Sequence, residues 1–256
     1  MALSVSGLRL ALSGRPILNG IDLAIAPGQV TALIGPNGSG KSTLLRSMAG
    51  LQRPDAGQVA LNGAPVATIP PRELARALAF LPQSPIQPEG STVRSLVERG
   101  RTPYLGTFRP MTAADRRAVD RAIAQTGLGD IADRRAATLS GGQRQRAFIA
   151  MTLSQETPVL LLDEPTTYLD LPHQIELLRL VRRINREMGH TIVMVLHDIN
   201  LACRHADTIV GVRDGRIVLD GPAAQVITQD GLRVLFAADL RVIQPGAQGA
   251  PIVLPE

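Results

Sequence analysis

The N-terminal stretch MALSVSGLRLALSG alternates apolar and polar residues, the period of a strand with one buried face. Short apolar runs follow, IDLAIA at 21–26 and QVTALIG at 29–35, each punctuated by Gly or Pro. GQVALNG at 57–63 repeats the pattern beyond a first predicted helix, KSTLLRSMAG, that stops at Gly50. From 84 to 156 the texture becomes helical. STVRSLVERG, TAADRRAVDRAIAQTG and SGGQRQRAFIAMTLSQ carry apolar residues at helical spacing, and Thr112 with Asp115 predicts a capping box. Strands and helices then alternate again: PVLLLDEP, LPHQIELLRLVRRINREMG, HTIVMVLH, a helix at 198–205, and ADTIVGVRDGRIVLDG. Apolar strands alternating with helices predict a buried parallel sheet, with the stretch 84–156 inserted between two halves of one α/β core. Residues 222–256 are expected to form a short helix and a final hairpin, with no legible chemistry.

Length and composition restrict the class. The 256 residues leave room for one or two domains around a substantial core, and an apolar fraction of 45% is ordinary for a globular chain. No apolar run approaches about 18 residues, so no segment is expected to span a membrane. The N-terminus lacks the basic start and cleavage site of a secretory signal. A single cysteine, Cys203, cannot form an internal disulfide, which fits a reducing cytosol. The net charge of +5 raises the question of nucleic acid. The arginines, however, alternate with acids along predicted helices, as in IELLRLVRRINRE, and no aromatic residues interleave with them. That pattern reads as a solvated surface.

One detail of the charge changes the picture: of 27 basic residues, the only lysine is Lys41. It lies in GPNGSGKST at 35–43, which satisfies G-x-x-x-x-G-K-[ST] between an apolar strand and a helix, the context of a phosphate-binding loop. A compact ammonium on a flexible stem reaches between phosphates where a planar guanidinium fits poorly. Gly35, Gly38 and Gly40 are expected to let backbone N–H groups approach phosphate, with Pro36, Asn37 and Ser39 completing the loop. Lys41 would meet the β- and γ-phosphates, and Ser42, followed by Thr43, would hold Mg²⁺.

VLLLDEP supplies acids at the carboxyl end of a predicted buried strand, where α/β sheets bind ligands. Asp163 is the candidate outer ligand of Mg²⁺, and Glu164 the candidate base for an attacking water. TIVMVLH ends in His197, a candidate γ-phosphate contact. His173, His190 and His205 read as satisfied histidines without a chemical role. LSGGQ at 139–143 offers a second anion cradle, because Ser-Gly-Gly opens a helix whose free N–H groups and positive dipole attract phosphate.

Together these motifs resemble the ATP-binding subunits of ABC transporters over residues 3–220. In that likeness 35–43 is the Walker A loop, Gln83 in FLPQ the Gln-loop, and Ser140, Gly141, Gly142 and Gln143 the signature. Residues 159–164 are Walker B, Leu169 and Asp170 the D-loop, and His197 the switch histidine. QPEGSTVRSLVERGRTPYLG, LSGGQRQRAFIAM and LLLDEPTTYLDLPHQ further resemble importers of ferric citrate and ferric siderophores.

The resemblance implies a P-loop NTPase of the α/β class: a RecA-like core with an antiparallel β subdomain and an inserted helical subdomain. The cassette would cover 1–220, its helical part about 84–156, with a short extension over 221–256. It implies ATP and Mg²⁺ as ligands, Gln83 joining Ser42 and Asp163 at the metal, and Asp170 near the nucleotide. It also accounts for two cradles in one chain. The resemblance implies that two identical cassettes pair head to tail, so that the signature of one would close on the ATP held by the other. The implied partners are an integral membrane permease, met by the helical insertion, and indirectly a periplasmic or extracellular substrate-binding protein. The implied location is the cytoplasmic face of the inner membrane. Haem and cobalamin importers are the nearest alternatives. Nucleic-acid ABC ATPases carry coiled coils, zinc modules or a second cassette, so no nucleic-acid partner is expected. One departure stands out: where the family stacks adenine on an aromatic residue ahead of Walker A, LALSGRPIL has Leu12, with Arg15 nearby.

Overall fold

Strand β1 (Leu3–Leu12) changes phase part-way along its length. It buries Leu3 and Val5, then Leu8 and Leu10. The odd interval is absorbed by a register shift between Val5 and Leu8, where Gly7 takes φ +56°. An inserted residue of this kind keeps the apolar side chains on one face. The structure, a computed structural model, describes residues 2–105, 110–244 and 249–255. Gly106, the last residue of the QPEGSTVRSLVERGRTPYLG stretch, lies outside them. Two units divide the chain, one made of 1–69 with 191–256 and the other of 70–190, and each is described by itself.

The first unit continues through β2 (Arg15–Ile25), β3 (Val30–Ile34), helix α1 (Lys41–Met48), β4 (Ala56–Leu61) and β5 (Ala64–Pro65). β2, β1, β4 and β5 lie side by side, every pair antiparallel. All five residues of β3 are buried, Thr31 among four apolar residues, as a strand covered on both faces requires. α1 buries Leu44, Leu45 and Met48 along one face, and the chain leaves it through Gly50 at φ +71°.

The second unit begins with α2 (Pro71–Ala77) and β6 (Leu78–Leu81). α3 (Val93–Glu98), α4 (Ala113–Gln125) and α5 (Gly141–Ser154) follow, and α3 and α4 both pack on α5. Each of the three opens with a capping box, Thr92–Ser95, Thr112–Asp115 and Ser140–Gln143, so the box predicted at Thr112 is present. β7 (Val159–Leu162) is buried throughout and pairs parallel with β6. α6 (Leu171–Met188) runs from its N-cap Asp170 to Gly189 in the left-handed region.

The chain then returns to the first unit. β8 (Thr191–Val195) is wholly buried and pairs parallel with β3. α7 (Ile199–His205) leads to β9 (Thr208–Arg213), parallel to β3 on its other side, and β10 (Arg216–Gly221) pairs antiparallel with β9. Beyond 221 there are two short helices, α8 (Ala223–Val226) and α9 (Gln229–Phe236), where the sequence predicts one. Thr228 interrupts them, its hydroxyl accepting from the Gly231 N–H and so restarting the helix. The final hairpin joins β11 (Leu240–Ile243) to β12 (Ile252–Pro255). It is tied to α7 by the Asn200 amide, which donates to Val253 O at 3.0 Å and accepts from Val253 N at 2.7 Å. Among the described residues, no helix is long and apolar enough to cross a membrane.

Candidate functional site

The loop from 35 to 40 joins β3 to α1, and its glycines are dictated by sterics as well as torsion. Gly35 has φ +144°, and a Cβ there would stand 2.1 Å from the Val212 carbonyl oxygen of β9. Gly40 has φ +104°, and its Cβ would meet Leu18 Cδ2 at 2.9 Å. Gly38, at φ +76°, has open space around it. Only glycine combines these torsions with such close approach. The Lys41 side chain is buried, its Nζ donating to the carbonyls of Gly35 at 2.9 Å and Pro36 at 2.8 Å. Ser39 Oγ is buried and has no hydrogen-bond partner among the described residues. Buried hydroxyls are normally satisfied, so this orphan in a glycine-rich loop fits a site completed by a polar ligand. Ser42 and Thr43 follow in the first turn of α1, half-buried.

Two residues that sequence reasoning passed over brace this loop. Gly215, in the β9–β10 turn, donates from its N–H to Ser39 O at 3.1 Å and accepts from Asn19 N at 2.8 Å. The Asn19 side-chain amide donates to Asp214 O at 2.8 Å. The Asp-Gly dipeptide marks a hairpin turn, but nothing local says that this turn supports the loop at 35–40. His197 follows β8 on the edge where β3 becomes the loop, since Val195 pairs with Leu33 and the Leu196 N–H donates to Leu33 O. Leu12 and Arg15 face each other across the β1–β2 turn, which Ser13 and Gly14 make with φ of 50° and 79°. Leu12 is exposed.

The second unit holds the remaining candidates in two groups. In the first, β6 and β7 run parallel with Leu81 opposite Leu162, and the Asp163 N–H donates to Leu81 O at 2.9 Å. Asp163 is fully buried. Glu164 adopts φ +51°, an uncommon conformation for a side-chain-bearing residue. Its Oε2 accepts from Gln83 Nε2 at 2.6 Å and from Thr167 Oγ1 at 2.9 Å. Gln83 and Glu164, far apart in sequence, are thus in direct contact, and Thr167 is an additional partner that no motif announced. Within this unit Gln83 and Asp163 offer an amide and a carboxylate oxygen, hard donors of the kind that Mg²⁺ takes.

In the second group, Ser140 caps α5, its Oγ accepting from the Gln143 N–H at 3.3 Å while Gln143 Oε1 accepts from the Ser140 N–H at 3.1 Å. Ser140 and Gly141 are exposed and Gly142 is buried. The segment before α6 lies alongside. Leu169 Cδ2 is 3.5 Å from the Cβ position of Gly141, and the His173 ring covers Gly142. His173 Nδ1 is bonded to Asp170 Oδ1, and this bond holds the Asp170 carboxyl below the usual carboxylate range. His173 therefore has neighbours that the sequence reading did not give it. The readable signal was its position three residues after the helix-capping Asp170.

Comparison with known proteins adds an independent line. The ABC transporter family model matches residues 18–167. The probable siderophore transport system ATP-binding protein YusV of Bacillus subtilis is 48% identical over 254 residues, 99% of this chain and 92% of that protein. The ferric enterobactin transport ATP-binding protein FepC of Escherichia coli is 42% identical over 248 residues, 97% of this chain and 92% of that protein. Among solved structures, an inward-facing ABC transporter described as metal-chelate type superposes with a TM-score of 0.85 at 27% identity, covering 99% of this chain and 96% of that one. A dimeric bacterial ABC transporter cassette gives 0.75 at 27% identity, covering 86% and 98%. A glycine-built loop around a buried lysine and a likeness running nearly end to end lead to one assignment: the chain belongs to the ABC transporter family, as an ATP-binding cassette.

Proposed function

We propose that this cassette hydrolyses ATP to drive import of a ferric chelate, a siderophore or ferric citrate, through a partner permease. The observation that carries the cargo class is the likeness to siderophore-transport ATP-binding proteins over 99% of the chain. The cassettes work as an identical pair on the cytoplasmic face of the inner membrane. The helical segment within 84–156 meets the permease, and a substrate-binding protein delivers cargo from the far side.

In this reading the loop at 35–43 holds the phosphates, with Lys41 beside the β- and γ-phosphates and the glycine N–H groups around them. Ser42, Gln83 and Asp163 would hold Mg²⁺, which would supply positive charge to offset the charge of the phosphate oxygens. Glu164 takes a proton from water as the water oxygen attacks the γ-phosphorus. The bond from that phosphorus to the ADP oxygen breaks, yielding ADP and inorganic phosphate. Gln83 and Thr167 fix the carboxylate that receives the proton, at 2.6 and 2.9 Å. His197 steadies the γ-phosphate from the end of β8. Ser140 and the first N–H groups of α5 close on the ATP of the partner cassette.

The test is uptake. Cells carrying this chain with its permease and binding protein should accumulate radioiron supplied as a ferric siderophore or ferric citrate, and Lys41→Ala should abolish it. Energised uptake of cobalamin or haem, with none of ferric chelate, would reassign the cargo.

A further inference from the structure

Gly142 needs an explanation that its backbone does not supply. It lies inside α5 and is not among the glycines with positive φ. What excludes a side chain is a neighbour: a Cβ on Gly142 would stand 2.6 Å from Cδ2 of His173, 3.3 Å from Cγ and 3.5 Å from Nε2. The three nearest atoms all belong to one ring. That ring is held in place, because Asp170 Oδ1 bonds Nδ1 and also accepts from the His173 backbone N–H at 3.3 Å. Asp170 in turn caps α6, and Tyr168, two residues before it, has φ +65°. Between His173 and Gly142 there is therefore no room for one methyl group, whereas at Gly141 the nearest contacts, Leu169 Cδ2 at 3.5 Å and Tyr168 O at 3.9 Å, are ordinary.

We propose that His173 is a positioning residue for ATP hydrolysis. Its imidazole, braced by Asp170, sets where the first turn of α5 lies and hence where Ser140 and the Gly141 and Gly142 N–H groups present themselves to nucleotide. The inference rests on the reading of that turn as the element that closes on ATP. Groups acting in this way must be placed closely, since a displacement of about 1 Å reduces rates by about 100-fold. Asparagine is the informative replacement, because its planar amide superposes on imidazole Nδ1 and Cδ2. It keeps both the Asp170 bond and the contact with Gly142.

The test uses the full chain and measures ATP turnover, nucleotide affinity and thermal midpoint together. His173→Ala should lower kcat by about tenfold, with ATP affinity and midpoint unchanged, and His173→Asn should stay within about twofold of wild type. Gly142→Ala should lower kcat by about 100-fold, and the double variant Gly142→Ala/His173→Ala should exceed the Gly142→Ala single by about tenfold, because the ring that the methyl strikes is gone. Wild-type turnover in His173→Ala, or a double variant no faster than Gly142→Ala, overturns the proposal. Should Gly142→Ala fail to fold, the comparison of His173→Ala with His173→Asn decides alone. A wild-type chain that does not turn over ATP brings down the hydrolytic reading and this inference with it. Normal wild-type turnover with no effect at His173 brings down only the inference.

Discussion

Gln83 Nε2 and Glu164 Oε2 lie 2.6 Å apart, and the Thr167 hydroxyl donates to the same oxygen at 2.9 Å. A carboxylate that accepts two neutral donors on one oxygen has its orientation fixed before water arrives. Such preorganisation is what a general base requires.

Glu164→Gln tests that role with little change of shape, since the amide oxygen can accept the same two hydrogen bonds. We expect turnover to fall by at least about 100-fold while ATP binding stays intact. Single-turnover hydrolysis and equilibrium nucleotide titration on the same preparation measure both. Hydrolysis near the wild-type rate would remove Glu164 from the chemistry.

The signature is expected to serve the partner's nucleotide, and mixing two inactive variants tests this. Lys41→Ala and Ser140→Arg homodimers each carry two defective sites. A mixed dimer has one site with both defects and one with neither, so ATP turnover should reappear on mixing. Each variant is first shown to be folded and to exchange partners. If the signature served its own chain's ATP, every site would keep a defect and the mixture would stay silent.

Arg101 ties the helical part of the second unit together. Its guanidinium bonds Asp115 at 2.9 and 3.1 Å, Ser154 O at 2.7 Å and Glu156 at 2.8 Å, with the Tyr104 ring 3.9 Å from Cζ. The Thr112 hydroxyl and backbone, then Arg101, hold the Asp115 carboxyl at about 2. Arg101→Leu leaves that carboxylate charged and buried without its cation, which costs about 3–5 kcal/mol. Urea unfolding of the full chain should show an earlier midpoint; an unchanged midpoint would mean that the network carries no net stability.

His190 couples folding to pH. It is buried, and burial pushes its pKa below the ordinary 6.5, opposed less strongly by the backbone at Thr157 and Pro158. The unfolded chain protonates this ring near pH 6.5 and the folded chain only at lower pH. Between those values the unfolded state binds more protons, so stability rises with pH and is lost as pH falls below about 6.5. His190→Leu should flatten the fall of the thermal midpoint between pH 7 and pH 5. An identical slope in the variant would assign the dependence to other groups.

Local pattern was enough to predict the strand, glycine-rich loop and helix over 30–48. The mostly apolar run of β3, the closely spaced glycines and the lone lysine are all properties of neighbours in sequence. The partners of those elements were not legible, because they come from afar. Gly215 and Asn19 brace the loop through bonds between opposite ends of the chain. Thr167 bonds Glu164 where the backbone at 164 takes φ +51°, a conformation that no sequence pattern announces. His173 was readable as a neighbour of Asp170, but its contact with Gly142 requires knowing that α6 begins beside α5. Periodicity records which face of a helix is apolar and is blind to what that face meets.

The parallel pairing of β6 and β7 determines which changes of length the chain tolerates. Leu81 stands opposite Leu162, and Gln83 and Glu164 each follow by two residues. Their meeting thus depends on two short counts, each read from a strand end, and not on the long stretch of chain between them. A natural variant can gain or lose residues anywhere in the loops that separate α3, α4 and α5 and still bring amide to carboxylate. One residue inserted in FLPQ or in LLDE moves the donor or the acceptor by about 3.3 Å and separates them. Insertions and deletions across this family should therefore be common in the middle of the second unit and absent from these two tetrapeptides.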